Sequence, residues 1–204
     1  MKTNQDYKNA ALAALKGNWT PAALLALILI VVMALVDYSK WLSVPLTLLL
    51  LPFTAVGVGN AFRLLSERRD ANLISNAFHI GSENYVHKLV GTVLMEVYIF
   101  LWTLLLIVPG IIKSFAYAMT PYILEEHPEL SANEAIDKSQ AMMRGHKFDL
   151  FYLYLGFVGW AILSCLTCGI GFIWLVPYVR TTVAGFYYDL KVENGEELPE
   201  AEVI

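Results

Sequence analysis

The strongest constraint on this chain is a series of long apolar runs in which charged side chains are almost absent. The run from 21 to 36 holds no charged residue, and the run from 89 to 107 holds only Glu96. An α-helix needs about 17 to 25 apolar residues to cross a bilayer. Because 57% of the residues are hydrophobic and 16% are charged, the composition differs from that of soluble globular domains. The sequence therefore predicts an integral membrane protein.

The apolar runs predict an all-α, polytopic bundle of six transmembrane helices arranged as three hairpins. The expected spans are about 21–36, 41–63, 89–107, 111–125, 149–167 and 171–189, within a membrane domain that covers 20–190. Three tight turns join the two spans of each hairpin, at Asp37 to Lys40, at Pro109-Gly110 and at Gly169 to Gly171. Pro109-Gly110 is expected to turn because proline fixes its own backbone and glycine permits left-handed geometry. A single long helix over 89–125 is the alternative, and Pro109-Gly110 disfavours it.

Shorter polar segments flank the spans. Residues 1–19 place Tyr7, Ala11 and Leu15 at helical spacing, which predicts an N-terminal amphipathic helix in the membrane interface. Pro52 is expected to kink the second span, and a short surface helix capped by Asp70 is expected within 64–88.

A second amphipathic helix is expected on the cytoplasmic face. Ser131-Ala132-Asn133-Glu134 matches a capping box, so this helix should run from about 132 to Arg144 and end at Gly145. Glu134 is expected to pair with Lys138, four residues on. Residues 191–204 form an acidic tail.

Basic residues in the short loops predict the orientation, because the cytoplasmic side of a membrane protein is enriched in lysine and arginine. Only Lys40 and Lys113 fall on the other side. The expected cytoplasmic set is Lys2, Lys8, Lys16, Arg63, Arg68, Arg69, Lys88, Lys138, Arg144, Lys147 and Lys191. Both termini are therefore predicted to be cytoplasmic.

Two charged side chains within the spans, Glu96 and Arg180, are the candidate site. A charge at such depth costs at least about 2.5 kcal/mol by itself, so each side chain needs a partner or water. One hypothesis is a polar site for an anionic group, which Arg180 binds while Glu96 gates it or carries a proton. The alternative is structural: the two side chains pair with each other, or with backbone carbonyls, and fix the register of their helices.

Arg144, His146 and Lys147 follow the predicted cytoplasmic helix and are candidates for contact with anionic lipid headgroups. The alternative is ordinary positive-inside flanking of the fifth span.

Cys165 and Cys168 have the C-x-x-C spacing of redox motifs, but they end an apolar span, so they are interpreted as two small buried residues. The four histidines lack metal-site spacing, and no catalytic triad or phosphate-binding motif is evident. No metal, cofactor, nucleic acid or enzymatic activity is expected.

The run that begins at Leu104, LLLIVPGIIKSFAYAMTPYILEEHPELSANEAIDKSQAMMRGHKFDLFYL, with the later GFVGWAIL and GIGFIWLVPYVRTTVAGFYYDL, closely resembles bacterial integral membrane proteins of domain-of-unknown-function family 975. More distantly, its Pro-Gly turn, acidic residues and R-G-H segment look like the membrane domain of some glycerophosphodiester phosphodiesterases. The resemblance implies the bacterial cytoplasmic membrane and no particular activity.

Two functions are expected ahead of a membrane-embedded hydrolase. The first is a non-enzymatic module that binds lipid or a membrane-protein partner, because no catalytic constellation is present. The second is a small transporter or lipid-translocating unit that uses Glu96 and Arg180. Membrane lipids are the expected partners, together with a second copy of the chain or another membrane protein.

Overall fold

The computed structural model describes residues 3–38, 43–67, 72–82, 84–167 and 169–196. Every regular element in these ranges is helical, as the sequence predicts. A π-helical segment, Pro52–Gly57, joins α3 to α4. The α-helices are α1 (Asn4–Leu15), α2 (Trp19–Tyr38), α3 (Ser43–Leu51), α4 (Val58–Ser66), α5 (Leu73–Ser82), α6 (Tyr85–Leu105), α7 (Ile107–Ala116), α8 (Thr120–Glu126), α9 (Ala132–Met142), α10 (Lys147–Leu155), α11 (Val158–Leu166) and α12 (Phe172–Glu193).

Four helical stretches in the described ranges are long and apolar enough to cross a membrane, instead of the six expected. They are Trp19–Val36, Pro45–Ser66, Tyr85–Leu104 and Lys147–Leu166. The expected span 111–125 fails because a turn over 117–119 separates α7 from α8 and leaves both too short. The expected span 171–189 corresponds to α12, which is long enough but contains Arg180, two threonines and several tyrosines.

The centre of the fold is α12, which packs against α1, α2 and α4. Its buried positions include Ala184, Phe186, Tyr187 and Leu190, each with no exposed surface. The ring of Tyr187 stacks on Tyr122 of α8 at a centroid distance of 4.9 Å. The buried face of α12 does not meet lipid, so it tolerates polar residues such as Thr181 and Thr182 that a lipid-facing surface excludes.

The N-terminal helix α1 begins in a capping box in which Thr3 and Asp6 satisfy each other's backbone amides. Its predicted stripe of Tyr7, Ala11 and Leu15 is buried, as the spacing indicates. The stripe packs on α12 and α4, so it contacts protein where the sequence suggested contact with lipid. The periodicity therefore identifies the buried face but not what covers it.

The chain reverses between α6 and α7 at Leu106, which is in an extended conformation (φ −161°, ψ 135°). The prediction that Pro109-Gly110 forms this turn with a left-handed glycine is wrong, because both residues lie in the first turn of α7. Proline is tolerated there because the first helical amides have no partner within the helix. A Cβ on Gly110 would lie 2.7 Å from the Thr103 Cα, so this glycine permits close packing of α7 on α6.

The predicted capping box at the start of α9 is confirmed. The Ser131 amide donates to Glu134 Oε2 at 2.7 Å, and the Glu134 amide donates to Ser131 Oγ at 3.4 Å. These hydrogen bonds from Ser131 lower the pKa of Glu134, a solvent-exposed carboxyl. The predicted Glu134–Lys138 pair is wrong, because Glu134 is engaged in the cap while Lys138 binds Glu196 at 2.9 Å.

The helix α9 ends at Met142, two residues before the predicted end, and Gly145 then has a φ of +95° that favours glycine. Its buried face includes Ile136 and Ser139 and packs against α6 and α8.

Lys113, expected on the outer side, donates a 2.8 Å hydrogen bond to Gln140 of α9. Lys113 therefore lies beside the helix that was predicted to be cytoplasmic.

Two predicted spans contain irregular backbone. Pro52 begins the π-helical segment, at the position where the sequence predicts a kink; the kink itself stays a prediction. The fifth span is interrupted at Gly156 and Phe157, between α10 and α11. Gly169 adopts a φ of +87° in the predicted turn before α12. Asp70, Cys168, part of the Asp37–Lys40 turn and the tail beyond Glu196 lie outside the described residues.

Candidate functional site

The candidate site is a cavity of about 760 Å³ between α2, the π-helical segment, α6, α8 and α12. Ligand cavities in proteins commonly have volumes of roughly 300 to 1,000 Å³. Its charged residues are Glu96 and Arg180, the two residues that the sequence singled out. The remaining lining residues are Ala26, Leu29, Ile30, Met33, Ala34, Leu51, Thr54, Ala55, Met95, Pro121 and Val176.

Glu96 reaches the cavity from α6, eleven residues after the first residue of that helix, Tyr85. At about 1.5 Å per residue this is roughly 16 Å along the helix axis. Its side chain is exposed in the protein, whereas its neighbour Met95 is buried. Glu96 therefore lies where a ligand in the cavity would meet it.

Arg180 reaches the same cavity from the middle of α12 and is half-buried. Pro177, three residues earlier, lies inside the helix, and its carbonyl accepts a 2.8 Å hydrogen bond from Thr181 Oγ1. Tyr122 and Tyr154 interact electrostatically with the Arg180 guanidinium.

No salt bridge or hydrogen bond joins Glu96 and Arg180, both of which are described residues. The form of the structural alternative in which the two side chains pair with each other therefore lacks the contact on which it depends. Two charges of opposite sign face one apolar cavity and remain available to other groups.

The π-helical segment Pro52–Gly57 forms part of the cavity wall through Thr54 and Ala55. The Thr54 hydroxyl bonds to the carbonyls of Leu50 and Leu51 at 3.1 and 3.3 Å, which satisfies groups that the wider helix leaves available. π-helical turns are rare and are frequent at functional sites. This irregularity lines the same cavity as the two charges.

A second cavity, of about 510 Å³, is lined by Trp19, Trp160, Trp174 and Tyr178 together with aliphatic and small residues. None of the described residues that line it is charged. It offers an apolar environment without a group that would select a headgroup, and it serves as a comparison for the charged cavity.

A buried charge cluster lies at one end of α4, α8 and α12, and the sequence did not indicate it. The Glu126 carboxylate accepts from Arg63 at 2.5 Å, from Tyr187 at 2.6 Å and from Lys191 at 2.9 and 3.0 Å. Arg63 also donates to Glu67 at 3.2 Å. The side chains of Arg63, Glu126 and Lys191 are each at most 11% exposed.

Neighbouring contacts extend this cluster. Asn60 accepts from Arg63 Nε at 2.8 Å and donates to the Pro121 carbonyl at 3.2 Å. Lys88, at the start of α6, forms an ion pair with Glu125. These contacts bring the end of α4, the start of α6 and the ends of α8 and α12 to the same side of the molecule. We call Asn60, Arg63, Lys88, Glu125, Glu126, Tyr187 and Lys191 the polar clamp.

The three predicted headgroup residues lie away from the charged cavity. His146 contacts Asp149 at 3.2 Å and Glu193 at 3.4 Å, so it links the start of α10 to the end of α12. Arg144 is exposed and Lys147 is partly exposed. Their contact with lipid headgroups stays a prediction.

Cys165 is free and exposed, so its interpretation as a buried residue is wrong. On α11 it is the neighbouring Ser164 that turns inward, and its hydroxyl bonds to the Trp160 carbonyl at 2.8 Å. In the described part of the chain, no group of three or more histidine, cysteine, aspartate or glutamate residues is arranged to hold a metal ion.

Comparison with known proteins gives one family match. Residues 103–194 match the family model described as "Protein of unknown function (DUF975)". The matched segment covers α7 to α12 and therefore includes Arg180, Glu126 and Lys191, but not Glu96 or Arg63. No curated protein and no solved structure gave a significant match. Nothing in these comparisons supports the more distant resemblance to glycerophosphodiester phosphodiesterases.

Proposed function

We propose that this chain, which belongs through residues 103–194 to the DUF975 family of proteins of unknown function, is a non-enzymatic integral membrane protein that binds a membrane lipid in the charged cavity. The observation that carries the proposal is the presence of Glu96 and Arg180, from two different helices, in one cavity that is otherwise apolar. An apolar wall suits acyl chains, and a small number of placed polar groups suits a headgroup.

The proposed topology keeps both termini in the cytoplasm of a bacterial cell. The four apolar stretches face lipid. The pair α7–α8 brings the chain back across the bilayer before the fourth stretch, and α12 brings it back after that stretch. Contacts between Lys88 and Glu125 and between Lys191 and Glu126 support this arrangement, since each pairs the start or end of one helix with its neighbour. Cys165 tests the orientation in a Cys168→Ser background. Labelling by a membrane-impermeant thiol reagent from the cytoplasmic side alone would contradict it.

Native mass spectrometry of the protein released from membranes tests lipid binding. We expect retained phospholipid in the wild type and a clear loss in Arg180→Met, because a phosphate would lose its cation. Lys16→Met is the matched control, since it removes an exposed lysine of the same charge that does not line the cavity. Lipid retained equally by all three proteins would place it elsewhere, for instance in the tryptophan-lined cavity, and would refute the proposal. The same spectra would reveal a second copy or another membrane protein bound to the chain.

A second candidate function is translocation of lipid or of another amphiphile. The π-helical segment in the cavity wall favours it, because interrupted helices beside a central binding site are typical of transporters. Proteoliposomes that carry fluorescent lipid in one leaflet would distinguish the two functions. A transporter equilibrates the leaflets and loses this activity in Glu96→Gln, whereas a binding module leaves the distribution unchanged.

A further inference from the structure

The charges that line the cavity restrict the kind of headgroup that it accommodates. Glu96 supplies one acidic group and Arg180 one basic group, and no other charged residue in the described part of the chain lines the wall. The Thr54 hydroxyl already bonds to Leu50 and Leu51. Selection between headgroups therefore depends on the two charges.

A headgroup with a single charge leaves one of these side chains without compensation. An anionic phosphate pairs with Arg180 but leaves the Glu96 carboxylate in an apolar cavity, and burying an unpaired charge is costly. A cationic amphiphile pairs with Glu96 and leaves Arg180. A zwitterion that carries a phosphate and an amine compensates both charged side chains. Its charge-assisted hydrogen bonds to the carboxylate and the guanidinium are stronger than hydrogen bonds between neutral groups.

The mouth of the cavity indicates that the zwitterion arrives from the bilayer. Ile30 and Met33 line the cavity and are also among the exposed apolar residues of α2, at 39% and 36% exposure. Because α2 is one of the four membrane-compatible helices, the opening lies on an apolar surface. A lipid enters such an opening without leaving the hydrocarbon, whereas a free polar solute has to cross it.

We propose that the cavity selects a zwitterionic phospholipid with a primary amine, whose phosphate binds Arg180 and whose ammonium binds Glu96. This inference rests on the proposed function and adds the class of lipid to it. The primary ammonium group donates three hydrogen bonds, which a carboxylate accepts readily.

The test measures binding of phosphatidylethanolamine and phosphatidylglycerol with identical acyl chains to delipidated wild-type protein by native mass spectrometry. We expect a preference of about tenfold or more for phosphatidylethanolamine. In Glu96→Gln this preference should fall to within about twofold, because the amine loses its counterion while phosphate binding to Arg180 persists. Glu129→Gln, which removes a distant exposed carboxylate, should keep the wild-type preference.

The outcomes separate the two proposals. If the wild type binds both lipids equally, or prefers phosphatidylglycerol, the assignment of a zwitterionic lipid is overturned. Lipid binding in the cavity is still supported in that case if Arg180→Met abolishes lipid binding. Binding that survives Arg180→Met refutes the proposed function itself. Displacement of the lipid by glycerophosphoethanolamine, the headgroup without acyl chains, at equal concentration would identify a free zwitterionic solute as the ligand and overturn the lipid assignment.

Discussion

Removing the carboxylate of Glu126 is expected to destabilise the protein strongly. This side chain is 11% exposed and accepts hydrogen bonds from Arg63, Tyr187 and Lys191. Glu126→Gln leaves two buried cations facing a neutral amide, and removal of one partner from a buried ion pair costs about 3 to 5 kcal/mol. Because Glu67 still binds Arg63 at 3.2 Å, we expect a value near the lower limit, about 3 kcal/mol.

The assay is the free energy of unfolding in mixed micelles as the fraction of SDS rises, followed by tryptophan fluorescence. Glu129→Gln is the matched control: its carboxylate is 65% exposed and pairs with His127 at 3.0 Å, so the free energy of unfolding should not change measurably. A double variant, Glu126→Gln with Lys191→Met, should recover part of the loss, because it removes one of the stranded cations. A loss below about 1 kcal/mol in Glu126→Gln would refute the interpretation of the polar clamp as a coupled buried network.

Three further substitutions test local features in the same unfolding assay. Gly110→Ala should cost about 1 to 3 kcal/mol, since its new methyl group overlaps the backbone of Thr103, and an unchanged stability would mean that α7 shifts freely on α6. Ser131→Ala should cost about 1 kcal/mol through loss of the N-cap of α9, while Ser131→Asp should retain stability. Ser139→Ala should cost about 1 to 3 kcal/mol because Ser139 Oγ donates to the Ala116 carbonyl at 2.9 Å and accepts from the Met119 amide at 3.2 Å; no loss would indicate that water replaces it.

Features that depend on neighbours in the sequence were predictable. The capping box at Ser131 involves only residues three positions apart, so the local pattern contains all the information that it needs. Glu96 and Arg180 stood out because a charge in an apolar run is rare. The structure places both side chains on the wall of one cavity.

Features that depend on distant segments were not predictable from the pattern. The polar clamp joins Arg63, Glu126 and Lys191, which are more than sixty residues apart, and each alone looks like an ordinary charge at the end of a helix. Burial of α12 likewise depends on which helices surround it. Hydropathy reports how apolar a segment is but does not distinguish lipid from protein as its environment, so it did not separate the four apolar stretches from α7–α8 and α12, which are too short or less apolar.

The polar clamp has a mechanical consequence for the cavity. It ties α4, α6, α8 and α12 together at one end through buried charged contacts, whereas α2, which also lines the cavity, contributes none of its residues. We expect a motion that widens the cavity to displace α2 from its packing on α12, while the four helices that the polar clamp joins keep their positions. A disulfide between cysteines that replace Met33 and Met95, which both line the cavity, should block that motion and leave the polar clamp unchanged.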